Sequence, residues 1–243
     1  MKIQSLFLGV TILVNLAFVA NAEASADDSR SRSGGRGSCL SRLAQGRNSF
    51  HVKIKPQALR KMFAGHRRFN AELTEKNLVL LVDYSIPSQK KRGYLIDLKA
   101  CDVLAHEFVA HGGTIYTPRL VRYSDPDQDG LLNRCVHRDG TRTNMTRPGF
   151  YVTMGCHMTQ KNFPLVSGRC GGVKIWGLEK RNDDAYNAGV VLHEHEAMFE
   201  GPAIKPEGQG CPIFAPGRLK QLLQHNIFEG ALVYLYVPQC GPA

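Results

Sequence analysis

The sequence predicts a mostly-β domain, a sandwich or partly closed barrel with short helices at its periphery. Two observations carry this. After Glu75 the chain breaks into short runs of β-branched, leucine and aromatic residues, separated by Gly, Pro, Asn or Asp. Helical spacing is confined to two short stretches, and runs of strands without alternating helices form sheet-on-sheet or closed-sheet folds.

Taken in order, Met1-Lys2 followed by the mostly apolar Leu6 to Val19 and by Ala20-Asn21-Ala22 reads as a basic start, an apolar core and a small-x-small cleavage site, so residues 1–22 are expected to be an export signal. The alternative is a membrane anchor, but the apolar stretch is interrupted by Thr11 and Asn15 and falls short of the about 20 residues a span requires. Residues 23–49 are rich in Ser, Arg and Gly and are expected to be a flexible cationic tether. Residues 50–76 form a helical segment that packs on the domain. Within it Leu59, Met62, Phe63 and His66 recur at helical spacing from Pro56 to Phe69, with proline opening the helix. Residues 77–243 are the main domain. Its strands are Leu78–Val82, Tyr94–Leu98, Val103–Ala110, Phe150–Thr153, Val173–Trp176, Val190–Leu192 and Leu232–Val237, with a second short helix marked by Leu219, Leu222 and Leu223.

The net charge of +10 raises the question of nucleic acid. Its clearest basic clusters, the tether and Lys90-Lys91-Arg92, have no aromatic ladder beside them, so nucleic acid is not the expected partner. An anionic envelope surface is the simpler one. Seven cysteines in an exported chain point to disulfides, and the odd count leaves one thiol over. Cys156 and Cys170 flank a short segment between two strands and are the favoured pair.

Several constellations have competing readings. His106 and His111 look like a zinc-protease helix, but they are five positions apart in a β-prone segment and would face opposite sides of a strand. His193 and His195 would share a strand face and make the better metal pair, although no third ligand is fixed. Asp125-Pro126-Asp127-Gln128-Asp129-Gly130 opens like a calcium loop, but Val136 stands where the closing glutamate belongs, so an exposed acidic turn is the default. Asn144-Met145-Thr146 matches the N-glycosylation pattern. Trp176, the only tryptophan, is a candidate sugar-stacking residue, though a lone Trp ending an apolar strand is more often core.

The strongest chemical signal is Gly208-Gln209-Gly210-Cys211-Pro212 together with His193 at the end of Val190-Val191-Leu192. Glycine before a cysteine permits a tight turn that exposes sulfur and N–H groups. A thiolate is a good nucleophile toward carbonyls, and a neighbouring imidazole can take its proton. A packing cysteine or half of a disulfide is the alternative.

From Leu78 to Val237 the chain resembles the catalytic-domain family of murein L,D-transpeptidases. The resemblance is carried by Leu80-Leu81-Val82-Asp83-Tyr84-Ser85, Tyr94-Leu95-Ile96-Asp97-Leu98, Val109-Ala110-His111-Gly112, Gly149-Phe150-Tyr151-Val152-Thr153 and Gly177-Leu178-Glu179 with Asn182-Asp183, followed by Val190-Val191-Leu192-His193, Gly210-Cys211-Pro212 and Ala231-Leu232-Val233-Tyr234-Leu235-Tyr236. It departs from the pattern at Glu194, where a small residue usually follows the histidine, at Gly208, where Ser or Thr is common, and at Ile213. The resemblance implies a cysteine-dependent enzyme of the bacterial envelope acting on peptidoglycan stem peptides, with no cofactor or metal and with membrane contact only during export. It implies Cys211 as nucleophile, His193 as base and Gly210 with Cys211 as oxyanion donors. His111, Asn182 and Asp183 match motif positions and, with Trp176, are candidate substrate-binding residues. A zinc-dependent wall hydrolase using His193 and His195, and a catalytically weak wall-binding protein, are the other classes the residues allow.

Overall fold

The structure is a computed structural model of the chain, and it describes residues 34–111, 146–158, 170–195, 198, 210–238 and 240. Nine strands form one mixed sheet: β1 (Glu75–Asp83), β2 (Gly93–Asp97), β3 (Asp102–Glu107), β4 (Val109–Ala110), β5 (Gly149–Met158), β6 (Cys170–Gly177), β7 (Val191–Glu194), β8 (Ile213–Phe214) and β9 (Glu229–Tyr236). The spatial order is β3-β2-β1-β9-β5-β6-β7-β8-β4. The two edge strands are consecutive in sequence, with only Phe108 between them, so the sheet curls until its ends nearly meet. The expected mostly-β, partly closed architecture is what the chain adopts.

Alternation explains why the sheet is stable on both faces. Along β1, Leu78, Leu80 and Val82 join the core enclosed by the sheet, while Val79 and Leu81 join a second core outside it. Along β9, Ala231, Val233 and Leu235 turn inward and Leu232, Tyr234 and Tyr236 outward. These two strands pair in parallel at the centre, and their continuous apolar runs are the pattern of strands buried on both faces. The outer core is roofed by α1 (Gly34–Ala44) and α2 (Pro56–Arg68). Leu59, Met62 and Phe63 of α2 are buried as its spacing predicts. Gly65 is required there, because a Cβ would sit 2.1 Å from the Phe150 ring.

Three expectations are corrected. Residues 34–44, placed in the tether, are helical: Leu43 is fully buried and Cys39 is bridged to Cys101 in the turn before β3. The single strand expected over Val103–Ala110 breaks at Phe108 into β3 and β4, because the chain must cross there from one edge of the curled sheet to the other. Arg92, read as part of a surface cluster, is fully buried. Cys156 and Cys170 are bridged as expected, tying β5 to β6, and Cys240 is also disulfide-bonded. Cys135, the Asp125–Asp129 run, Asn144 and Gly208 lie outside the described residues.

Candidate active site

β7 lies between β6, antiparallel, and β8, parallel. Its buried Val191 and Leu192 anchor the strand and carry His193 to its end. The register sets Gly172 opposite His193. A Cβ on Gly172 would lie 2.5 Å from the Leu192 carbonyl oxygen and 3.3 Å from the His193 Cβ, so glycine is what lets the strands close at this point. His193 is 5 % exposed. Its Nδ1 lies 3.0 Å from the main-chain oxygen of Glu194. A carbonyl only accepts, so Nδ1 carries the proton and Nε2 keeps the lone pair, the tautomer a general base requires. Burial holds the imidazole down to about 4. The Glu194 carbonyl opposes that shift, and the fields of His195 and His157 add to it.

The Glu194 side chain turns away from this chemistry. Its two carboxylate oxygens accept from the backbone N–H groups of Gly217, at 2.8 Å, and Lys220, at 3.0 Å, at the start of α3 (Arg218–Leu223). These are donors left open at any helix N-terminus, where a negative charge is also favoured by the helix dipole.

Cys211 follows Gly210, whose φ of 100° lies in the region that favours glycine. It is the one free thiol among the described cysteines and is 9 % exposed. The Val191 N–H donates to its Sγ at 3.5 Å, and the Sγ lies 4.0 Å from the Gly189 carbonyl oxygen. One residue on, the Pro212 carbonyl accepts from the His193 N–H at 3.4 Å. The Cys211-Pro212 segment therefore runs along the edge of β7, with the sulfur beside Val191 and the next peptide beside His193. Burial pushes the Cys211 thiol up, and the Val191 N–H and the Arg147 guanidinium partly counter it.

Arg147 bonds Asp184 at 3.2 Å. Behind it, Arg92 donates from Nε to the Val109 carbonyl at 2.7 Å, from Nη1 to the Ile86 carbonyl at 2.8 Å and from Nη2 to His111 Nδ1 at 2.8 Å. Its guanidinium also lies over the Tyr84 ring, 4.7 Å from the centroid. Burial, and after it the Arg92 charge, hold His111 well below the ordinary histidine range. Sequence reasoning passed over Arg147, and it grouped Arg92 with its neighbours in the basic cluster Lys90-Lys91-Arg92. An arginine in an apolar setting gives no signal of its burial until its acceptors are known.

The other candidate residues divide. His111 is fully buried, in edge contact with Tyr84. Asn182 is fully buried too: its Nδ2 donates to the Phe150 carbonyl and its Oδ1 accepts from the Glu179 N–H, so it holds the turn after β6. Asp183 in the same turn is partly exposed. Trp176 is 42 % exposed, which corrects the expectation of a core tryptophan. His106 stacks on Tyr94 and bonds the Lys91 carbonyl. His195 is exposed, and among the described residues no group of three or more His, Cys, Asp or Glu side chains is arranged to hold a metal ion. A cavity of about 230 Å³ lies between α2 and strands β5 and β9, but neither Cys211 nor His193 lines it.

The curled mixed sheet thus brings a thiol that is free among the described cysteines and a tautomer-fixed histidine to one strand edge. The chain belongs to the L,D-transpeptidase catalytic domain family, which it matches over residues 51–236. No curated protein matches it.

Proposed function

We propose that this chain is an exported peptidoglycan L,D-transpeptidase or L,D-carboxypeptidase of the bacterial envelope, working through an acyl-thioester on Cys211. The observation that carries the reading is the shared edge of β7. The Val191 N–H meets the Cys211 sulfur there, and two residues on His193 is held with Nε2 as its basic nitrogen. The shifts of both groups favour their uncharged forms, so the resting pair is thiol and imidazole rather than thiolate and imidazolium. Attack is then coupled to proton transfer. The Cys211 proton passes to His193 Nε2 as sulfur bonds the carbonyl carbon of the L-centre in a stem peptide. The carbon–nitrogen bond to the D-residue breaks, and His193 returns the proton to the departing amine. An acceptor amine, or water, then attacks the thioester, its proton goes by way of His193 to sulfur, and the thiol is restored. The N–H groups of Gly210 and Cys211 are the oxyanion donors in this reading, each worth on the order of 3 kcal/mol in comparable sites.

Disulfides at Cys39–Cys101 and Cys156–Cys170 fit an extracytoplasmic location. Among the described residues no helix is long and apolar enough to cross a membrane. The test is incubation with a disaccharide-tetrapeptide and mass analysis of products. Loss of the terminal D-residue or formation of a cross-link, abolished by Cys211→Ser and by His193→Ala, supports the reading. Turnover that survives Cys211→Ser and is lost on chelation replaces it with a metal-dependent hydrolase.

A further inference from the structure

Among the described residues the outer face of the sheet is only partly roofed. The helical layer covers β1, β2, β3, β9 and β5, and no described residue of its core belongs to β6. Along β6, Val173 and Ile175 turn into the enclosed core. Gly172, Lys174 and Trp176 therefore face outward. The register of β6 with β7 sets His193 opposite Gly172. Trp176, further along β6, presents its indole at 42 % exposure. The Tyr186 ring lies 5.4 Å from it, tilted by 44°, and the Lys174 ammonium sits 5.6 Å from the Tyr186 centroid. Two rings and an ammonium thus form a shallow aromatic trough on and beside β6, the strand whose Gly172 is the register partner of His193 on β7.

We infer that Trp176, with Tyr186 and Lys174, is a subsite for the sugar of the substrate. This rests on the reading of the chain as a stem-peptide acyltransferase. An exposed indole offers a broad apolar face with a polar edge, which suits the C–H face of a pyranose ring flanked by hydroxyl and amide groups. The spacing also agrees. Gly172 to Trp176 is four residues of strand, about 13 Å. In a disaccharide-tetrapeptide that loses its last residue, three residues separate the sugar from the reacting carbonyl, an extended reach of about 10 Å, and the sugar ring covers the remainder. A substrate with its carbonyl at Cys211 and His193 can therefore lay its sugar on Trp176.

Because Trp176 is the only tryptophan, its emission reports this trough alone. The first measurement is fluorescence titration of the full mature protein carrying Cys211→Ser with a trimer of N-acetylglucosamine, a disaccharide-tetrapeptide and the free tetrapeptide. The two sugar-bearing probes are expected to shift the emission and the free peptide is not. The second is turnover by otherwise wild-type protein. Trp176→Ala should raise KM for the disaccharide-tetrapeptide about five-fold and leave kcat and the KM of the free tetrapeptide unchanged, with Trp176→Phe restoring most of the loss. An unmoved emission with both sugars, or an equal KM change for both substrates, overturns the subsite. Failure of wild-type protein to turn over either substrate overturns the proposed function instead, and the trimer titration then decides the subsite by itself.

Discussion

The His193 imidazole and the main-chain carbonyl of Glu194 are joined by a 3.0 Å hydrogen bond, while the Glu194 carboxylate holds the first turn of α3. One residue thus couples the candidate base to the packing of a helix. The backbone atom that fixes the tautomer cannot drift without disturbing two further hydrogen bonds. This gives a physical role to the departure at Glu194. The larger side chain is directed into a cap rather than into the site.

Glu194→Ala should lower folding stability by about 2 kcal/mol, the scale for losing charge-assisted bonds to backbone donors. Its kcat should fall further than the loss of folded protein explains, and Glu194→Gln should recover part of both. Chemical denaturation and steady-state kinetics on the three proteins check this. An Ala variant as stable and active as wild type would show that the cap does not hold the base.

The depressed His193 makes a pH prediction with a definite sign. Between about 4 and the ordinary value of 6.5, the unfolded chain takes up a proton at this position that the folded protein does not. Stability therefore falls as pH drops through that window, by about 3 kcal/mol from this residue, and flattens below it. Burial depresses His111 in the same direction. The candidate base stays neutral down to the lower value, so the acid limb of kcat/KM should lie near 4. An acid limb at 6.5 in His193-dependent turnover would contradict the burial argument.

The two described disulfides should separate stability from activity. Closing a loop of 62 residues at Cys39–Cys101 is worth about 4 kcal/mol by chain entropy, and one of 14 at Cys156–Cys170 about 3 kcal/mol. The smaller contribution should matter more to turnover. Cys156–Cys170 ties together the strand ends that carry His157 and Gly172, and Gly172 is the residue opposite His193. Cys39–Cys101 fastens α1 to the turn before β3. Paired serine variants measured by denaturation and by kcat test the ordering, and a larger kcat loss on opening Cys39–Cys101 would reverse it.

Much of this fold was legible because its strands are self-declaring. Leu78–Val82 and Leu232–Val237 are apolar on both faces, as only strands between two cores need to be. What was not legible depends on partners far along the chain. Ile213–Phe214 is too short to show alternation, and it pairs because Val109–Ala110 and β7 lie on either side. The helix at residues 34–44 has the composition of a linker, and Leu43 and Cys39 hold it only once β3 and its preceding turn exist. At the site, the residue types of Cys211 and His193 could be read directly. The atom that orients His193 is a main-chain carbonyl, which every residue possesses and no sequence pattern marks.

The central claim is that Cys211 is the nucleophile and His193 its base, and intact-mass measurement after exposure to a carbapenem tests it most directly. Such a β-lactam presents a strained carbonyl to a site shaped for peptide carbonyls. Folded protein with its disulfides intact should gain one adduct, mapped to Cys211. The adduct should be absent in Cys211→Ser and slowed by orders of magnitude in His193→Ala, while His195→Ala and His106→Ala react nearly as wild type. No adduct on folded wild-type protein, with undiminished peptide turnover by Cys211→Ser, would mean that this buried thiol only fills space.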